Sequence, residues 1–361
     1  MANLHQFEIE NIANTKKMAE QLCQVHWTES ALATVDIQIT PAFVAEALNS
    51  YWKVFAAGKA GHVKAYVPFD KDVPGWTEGA LVGYFGKYSG TKDIHFAPDN
   101  ASIGRPLQHA DIFLRDKVSG TRLMSVEGVS ISNGRTGWFS LACLSLLLQG
   151  RENIDVFLFG AGKVAEAVIL ALNYGAANRI RKVAVLSRGK KSNFQLVEKL
   201  RDCVTFSLEA VVDRSLLPNA QFVIMATNSG MPVFNATEIA PDAVTLSLGI
   251  DDMPSDYIRH VLSVGGLIVA DDLVAMEARN VDAIALYYSR RGMKLTEHGR
   301  RDGIKNYTEV LDSEGLMNDL KAWKGPASFS PVGLASIDVA VAAHVYETLL
   351  SKLPGPINQG Q

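Results

Sequence analysis

The chain has 361 residues, 35 lysines and arginines against 38 aspartates and glutamates, a net charge of −3, and 48% hydrophobic residues. That length and apolar content suit two domains with large cores, and near-balanced charge without a basic stripe argues against a nucleic-acid partner. Three scattered cysteines, Cys23, Cys143 and Cys203, give neither a metal spacing nor a disulfide framework, so no metal site is expected and a reducing, cytoplasmic setting fits.

Residues 1–10 are polar and acidic, unlike a signal peptide. Short apolar runs at 63–67, 80–84 and 111–114 read as strands of a first region. The longest apolar stretch, 138–148, is too short to span a bilayer and reads as a buried helix over 138–149, so no membrane partner is expected. A strand at 154–159 is followed by a glycine turn and a helix over 164–173. Further strands are expected at 183–186, 204–208, 221–226, 244–248 and 266–270, with a helix at 193–201. Continuous apolar runs alternating with helices indicate a parallel sheet covered on both faces. Apolar positions at Val339, Ala342, Ala343 and Tyr346 predict a last helix over 333–350, and residues 354–361 read as a frayed tail. The expected architecture is α/β. A Rossmann-type doubly wound parallel sheet occupies 139–324. An α+β substrate-binding and dimerisation domain is built from both chain ends, 1–138 with 325–361.

The turn is the sharpest motif. Gly160-Ala161-Gly162-Lys163-Val164-Ala165 has the G-x-G-x-x-A spacing of a dinucleotide-binding crossover. Gly160 permits a sharp turn off the strand, Gly162 lets backbone approach a pyrophosphate, and Ala165 lets the helix lie close on the sheet. The helix N-terminus offers free N–H groups to the phosphates. At the end of the second strand, NAD-binding proteins usually place an acid that binds the ribose hydroxyls. Here Ser187-Arg188 stands there, with Lys190 and Lys191 beyond. This favours NADP(H), with the 2′-phosphate held by Ser187 and Arg188, and leaves NAD(H) as the alternative.

Residues 329–338 (FSPVGLASID) and 128–136 (GVSISNGRT) resemble signatures of the ornithine cyclodeaminase/mu-crystallin family, with the nucleotide turn between them in that family's order. Residues 226–229 (ATNS) and Pro232-Val233 are similar to its strand end over the cofactor. Within the family, residues 89–100 (SGTKDIHFAPDN), 63–66 (VKAY), 125–128 (SVEG) and 269–272 (VADD) look closest to the N-(2-amino-2-carboxyethyl)-glutamate dehydrogenase branch. That branch is thought of as using NAD, against the charge reading at Ser187-Arg188. Three positions depart from the family pattern: Ser330-Pro331 in place of Lys-Ser, Val164 in place of Gln, and Asp93 in place of an aromatic.

The resemblance implies an oxidoreductase that moves a hydride between nicotinamide and the α-carbon of an amino acid or its imine. It also implies a homodimer formed through the first region. The alternatives are an ornithine- or lysine-type cyclodeaminase and a non-catalytic NADPH and small-ligand binding protein. Arg135 is the expected grip on the substrate carboxylate, since a guanidinium binds carboxylates bidentately. Lys92 and Lys64 would add positive charge, with Lys92 the second candidate for proton transfer. Thr136, Ala226, Thr227, Ser229, Val332 and Gly333 would line the cofactor together with the turn. Asp252, after the fifth strand, is the expected general acid/base, because ligands of open α/β sheets sit at the carboxyl ends of strands. Its neighbour Asp251 competes for that role. His95 and His109 are expected in core or surface positions.

Overall fold

The structure, a computed structural model, describes residues 22–67 and 76–352. The expectations for residues 1–10 and 354–361 lie outside that range. The chain forms two compact units, residues 1–132 with 335–361 and residues 133–334.

Among the described residues, the first unit has six strands: β1 (His26–Trp27), β2 (Ala60–Tyr66), β3 (Thr77–Phe85), β4 (Tyr88–Phe96), β5 (Gln108–Asp116) and β6 (Arg122–Glu127). Their order is β1-β6-β5-β4-β3-β2, antiparallel except for the β1–β6 pair. The period-2 alternation of a strand puts Leu81, Lys92, Ile112 and Leu114 on one buried face. The C-terminal helix Ala335–Lys352 packs on these strands. The opposite face leaves Val63 60% and Val82 43% exposed. The sequence reading missed β4 and β6. β4 is rich in Gly, Ser, Thr and charge, and its buried positions include a lysine rather than an apolar residue.

The second unit carries eight strands: β7 (Ile154–Phe159), β8 (Ile180–Leu186), β9 (Ser207–Ala210), β10 (Phe222–Met225), β11 (Val244–Ser247), β12 (Leu267–Ala270), β13 (Lys305–Asn306) and β14 (Ala327–Ser330). They lie in the order β13-β12-β14-β11-β10-β7-β8-β9, and every pairing is parallel. This is the Rossmann-type sheet. The order runs outward from β7 through β8 to β9, then restarts on the other side with β10. The β7–β10 boundary is therefore the topological switch point, where such sheets bind ligands.

Three local expectations are corrected. The strand placed at 204–208 is β9, because Arg201–Cys203 forms a 3₁₀ turn and Asn173 accepts from the Thr205 N–H at 2.9 Å. The helix placed at 138–149 spans Val129–Leu147, so Arg135 and Thr136 sit on it rather than before it. β14, a central strand, was missed because its sequence, ASFS, is half serine.

Candidate active site

At the switch point, Gly160 has φ +111°, and a Cβ there would stand 2.0 Å from the Ala226 carbonyl oxygen. Only glycine can make this turn against the end of β10. Gly162 is the N-cap of the helix Lys163–Ala176, and a Cβ on it would meet nothing within 4 Å. An open glycine at the N-terminus of a 14-residue helix, beside a switch point, fits the pyrophosphate of a dinucleotide. Ala165 is fully buried, as close helix–sheet packing requires. Val164 and Ala161 are half-buried, and the Lys163 ammonium lies 3.5 Å from Glu166.

Past β8, the Ser187 hydroxyl is buried and donates to Asn193 Oδ1 at 3.0 Å. Asn193 in turn donates to the Val185 and Val211 carbonyls. Ser187 therefore shapes the loop before the helix Ser192–Leu200. Arg188 stands exposed beside it, with Lys190 and Lys191 exposed beyond.

At the carboxyl end of β11 the two competing acids separate. Asp251, at φ +47°, is paired with Arg290, Oδ2 to Nη2 at 2.6 Å. Asp252 is fully buried. Its Oδ1 accepts from the Ser247 hydroxyl at 2.6 Å and its Oδ2 from the Gly249 N–H at 3.1 Å. Burial pushes the Asp252 carboxyl up to about 7; the Ser247 hydroxyl opposes the rise, and the nearby Asp282 charge adds to it. Thr227 and Ser229 follow β10, with the Ser229 hydroxyl donating to the Met231 carbonyl. Past β14, the Val332 and Gly333 N–H groups donate to the two oxygens of buried Asp271 at 3.0 and 2.8 Å. This holds Gly333 at φ +70°, where a Cβ would come 2.1 Å from Arg135 Nη1. Arg135 is 8% exposed, and Thr136 beside it is half-buried.

In the first unit, Lys92 is 1% exposed. Its ammonium meets Asp338 Oδ1 at 2.8 Å and donates to the Ser132 hydroxyl at 3.0 Å. Lys64 lies half-buried on β2, paired in register with Leu81. The His95 Nδ1 is 2.6 Å from Glu78, and His109 is exposed. Sequence reasoning missed Asp338, Ser247, Asp271 and Asp282. Asp338 closed the quoted C-terminal signature, and Asp271 stood in VADD; Ser247 and Asp282 carried no signal. Among the described residues no group of three or more His, Cys, Asp or Glu could hold a metal, and no helix is long and apolar enough to cross a membrane.

The model of the ornithine cyclodeaminase/mu-crystallin family matches residues 44–353. The chain belongs to that family. An alanine dehydrogenase of Archaeoglobus fulgidus is 25% identical over 321 residues, covering 86% of this chain and 92% of its own. Among solved structures, a Thermococcus litoralis Delta(1)-pyrroline-2-carboxylate reductase in complex with NADH and L-proline has a TM-score of 0.76 at 20% identity, covering 92% of this chain and 99% of its own. An archaeal alanine dehydrogenase dimer with bound NAD has a TM-score of 0.73 at 22% identity, covering 92% and 98%. At these identities the two structures establish a shared fold.

Proposed function

We propose that this member of the ornithine cyclodeaminase/mu-crystallin family is an NAD(P)-dependent oxidoreductase acting on the α C–N bond of an amino acid or its imine, of the opine-dehydrogenase or imine-reductase kind. The observation that carries the reading is Asp252: a fully buried carboxyl, held at about 7, at the carboxyl edge of a dinucleotide-type sheet. Burial that raises a carboxyl at this edge of the sheet suits a group that gives and takes a proton near neutrality. When bound, the nicotinamide supplies or accepts the hydride. Asp252 then exchanges the proton of the substrate nitrogen or of the attacking water, and Arg135 holds the α-carboxylate. Lys92 and Lys64 stay in the reading as the substrate-side cations that the resemblance implies. The test is a screen of amino acids, cyclic imines and amine–keto acid pairs with both nicotinamides, followed at the reduced-cofactor absorbance. No turnover with any pair would sink it.

Arg135→Ala should raise KM sharply, with about 2–5 kcal/mol lost from kcat/KM, because a desolvated carboxylate loses its charged partner. Unchanged kinetics in a folded variant would remove Arg135 from the reaction.

For the cofactor we infer a preference for NADPH. Its support is the missing acid after β8 and the exposed Arg188, Lys190 and Lys191. The Ser187 hydroxyl is already engaged with Asn193, so Arg188 carries most of the expected phosphate contact. Calorimetric titration should find NADPH bound more tightly than NADH, and Arg188→Ala should weaken NADPH alone. Tighter NADH binding would overturn the preference.

A homodimer through the first unit is part of the same reading. It is supported by the exposed sheet face around Val63 and Val82 and by the dimeric state of the archaeal alanine dehydrogenase.

A further inference from the structure

Asp252 does not stand alone. Its two carboxylate oxygens are occupied by different donors, the Ser247 hydroxyl from the end of β11 at 2.6 Å and the Gly249 N–H at 3.1 Å. Its backbone carbonyl accepts from the Val233 N–H at 3.0 Å. The neighbouring Asp251 N–H donates to the Val281 carbonyl at 3.1 Å. That bond sets two chain segments side by side, and the next residue on each is a buried acid, Asp252 at 0% and Asp282 at 3% exposed. Asp282 caps the helix Ala283–Ser289, accepting from the Ile284 N–H at 2.8 Å.

The other charged groups around this corner have defined partners. Asp251 is paired with Arg290. Asp271 accepts from the Val332, Gly333 and Asp272 N–H groups. Arg279 donates to the Val332 carbonyl.

We propose that Ser247 and Asp282 are positioning residues that move the proton affinity of Asp252 in opposite directions. The Ser247 hydroxyl donates more strongly to a charged carboxylate than to a neutral carboxyl, and so favours the ionised form. The Asp282 charge, across the Asp251–Val281 backbone bond, holds the protonated form. This rests on the reading of Asp252 as the proton-exchanging group.

Burial raises Asp282 to about 6, opposed by the Ile284 N–H, with Asp271 raising it further; burial raises Asp252 to about 7, opposed by the Ser247 hydroxyl, with Asp282 raising it further. A hydrogen bond to the charged form and a like charge nearby act in opposite directions on an acid, each typically by a unit or more. Neither donor nor acid needs to touch substrate to do this.

The test is a carboxyl titration of the full chain labelled with [4-¹³C]aspartate, in which Asp252→Asn identifies the Asp252 resonance. Ser247→Ala should raise its midpoint by about one pH unit, and Ser247→Thr should return it. Asp282→Asn should lower it by about one pH unit; asparagine keeps the helix cap, so the fold is spared. A fall in Ser247→Ala, or an unchanged midpoint in Asp282→Asn, overturns the proposal. If Ser247→Ala folds poorly, Asp282→Asn alone decides.

Because the titration needs no substrate, the two readings fail separately. Opposed shifts in a protein that turns over nothing would sink the enzymatic reading and leave this one standing. An active dehydrogenase with unshifted midpoints would sink this one alone. In an active enzyme, the limb of the kcat/KM profile set by Asp252 should move with the midpoint in both variants, the acid limb where it takes the proton and the alkaline limb where it gives it.

Discussion

Replacing Asp252 by asparagine should lower turnover by about 10²–10⁴-fold while leaving cofactor affinity unchanged. That is the usual contribution of a general acid/base, and asparagine keeps the shape and a hydrogen-bonding oxygen but cannot exchange a proton. Asp251→Asn is the control: it loosens the Arg290 pair and should leave turnover near wild type. The same variant should alter the dependence of stability on pH. Burial holds the Asp252 carboxyl up at about 7, against 3.8 for an unperturbed aspartate. Between those values the folded chain keeps a proton that the unfolded chain has released, so the wild type loses stability as pH rises through this window. Asp252→Asn removes the loss. It should be the more stable protein at pH 8, by on the order of a few kcal/mol, with the gap closing near pH 4. Melting curves across that range, with normal turnover or a parallel pH dependence in the variant, would count against the assignment.

Asp338→Ala should be among the most destabilising single changes in the first unit, at about 3–5 kcal/mol, because it removes the carboxylate facing an ammonium only 1% exposed. The double variant Lys92→Met with Asp338→Leu should recover most of that stability, since apolar residues of similar volume often replace a buried pair at little cost. Thermal unfolding of the three proteins decides it. A wild-type melting temperature for Asp338→Ala would mean that the pair is not what holds the helix Ala335–Lys352 to β4.

How much of this was legible in the sequence follows from where each signal lay. β7 and its turn could be read because six consecutive buried positions and a glycine spacing sit next to one another. β14 could not. Its buried Ser328 sits on Met253 Sδ at 3.7 Å, so a polar residue occupies a central strand where an apolar one was the expected mark. The ion pair of Lys92 with Asp338 was not legible, because the two residues are separated by 246 positions in the chain. The contest between Asp251 and Asp252 turns on the register of one loop, which adjacent identical residues cannot reveal. The structure gives them different surroundings, Asp251 paired with Arg290 and Asp252 fully buried, and this supports the proposal for Asp252. Ser247 gained meaning only through its hydrogen bond to Asp252, and Asp282 only through the Asp251–Val281 bond.

The split of the first unit between the two chain ends bears on how the protein is made. Its six described strands lie before residue 128, but the helix that covers their apolar face begins only at Ala335, some two hundred residues later in synthesis. Until then the sheet exposes Leu81, Ile112 and Leu114, and the Lys92 ammonium lacks its carboxylate. The intervening residues 133–334 form a unit of their own and can fold in the meantime, since domains generally fold as units during synthesis. Nascent chains stalled after residue 334 should therefore carry a folded second unit and an unfinished, aggregation-prone first unit. A chaperone holding this chain would be expected to hold it there.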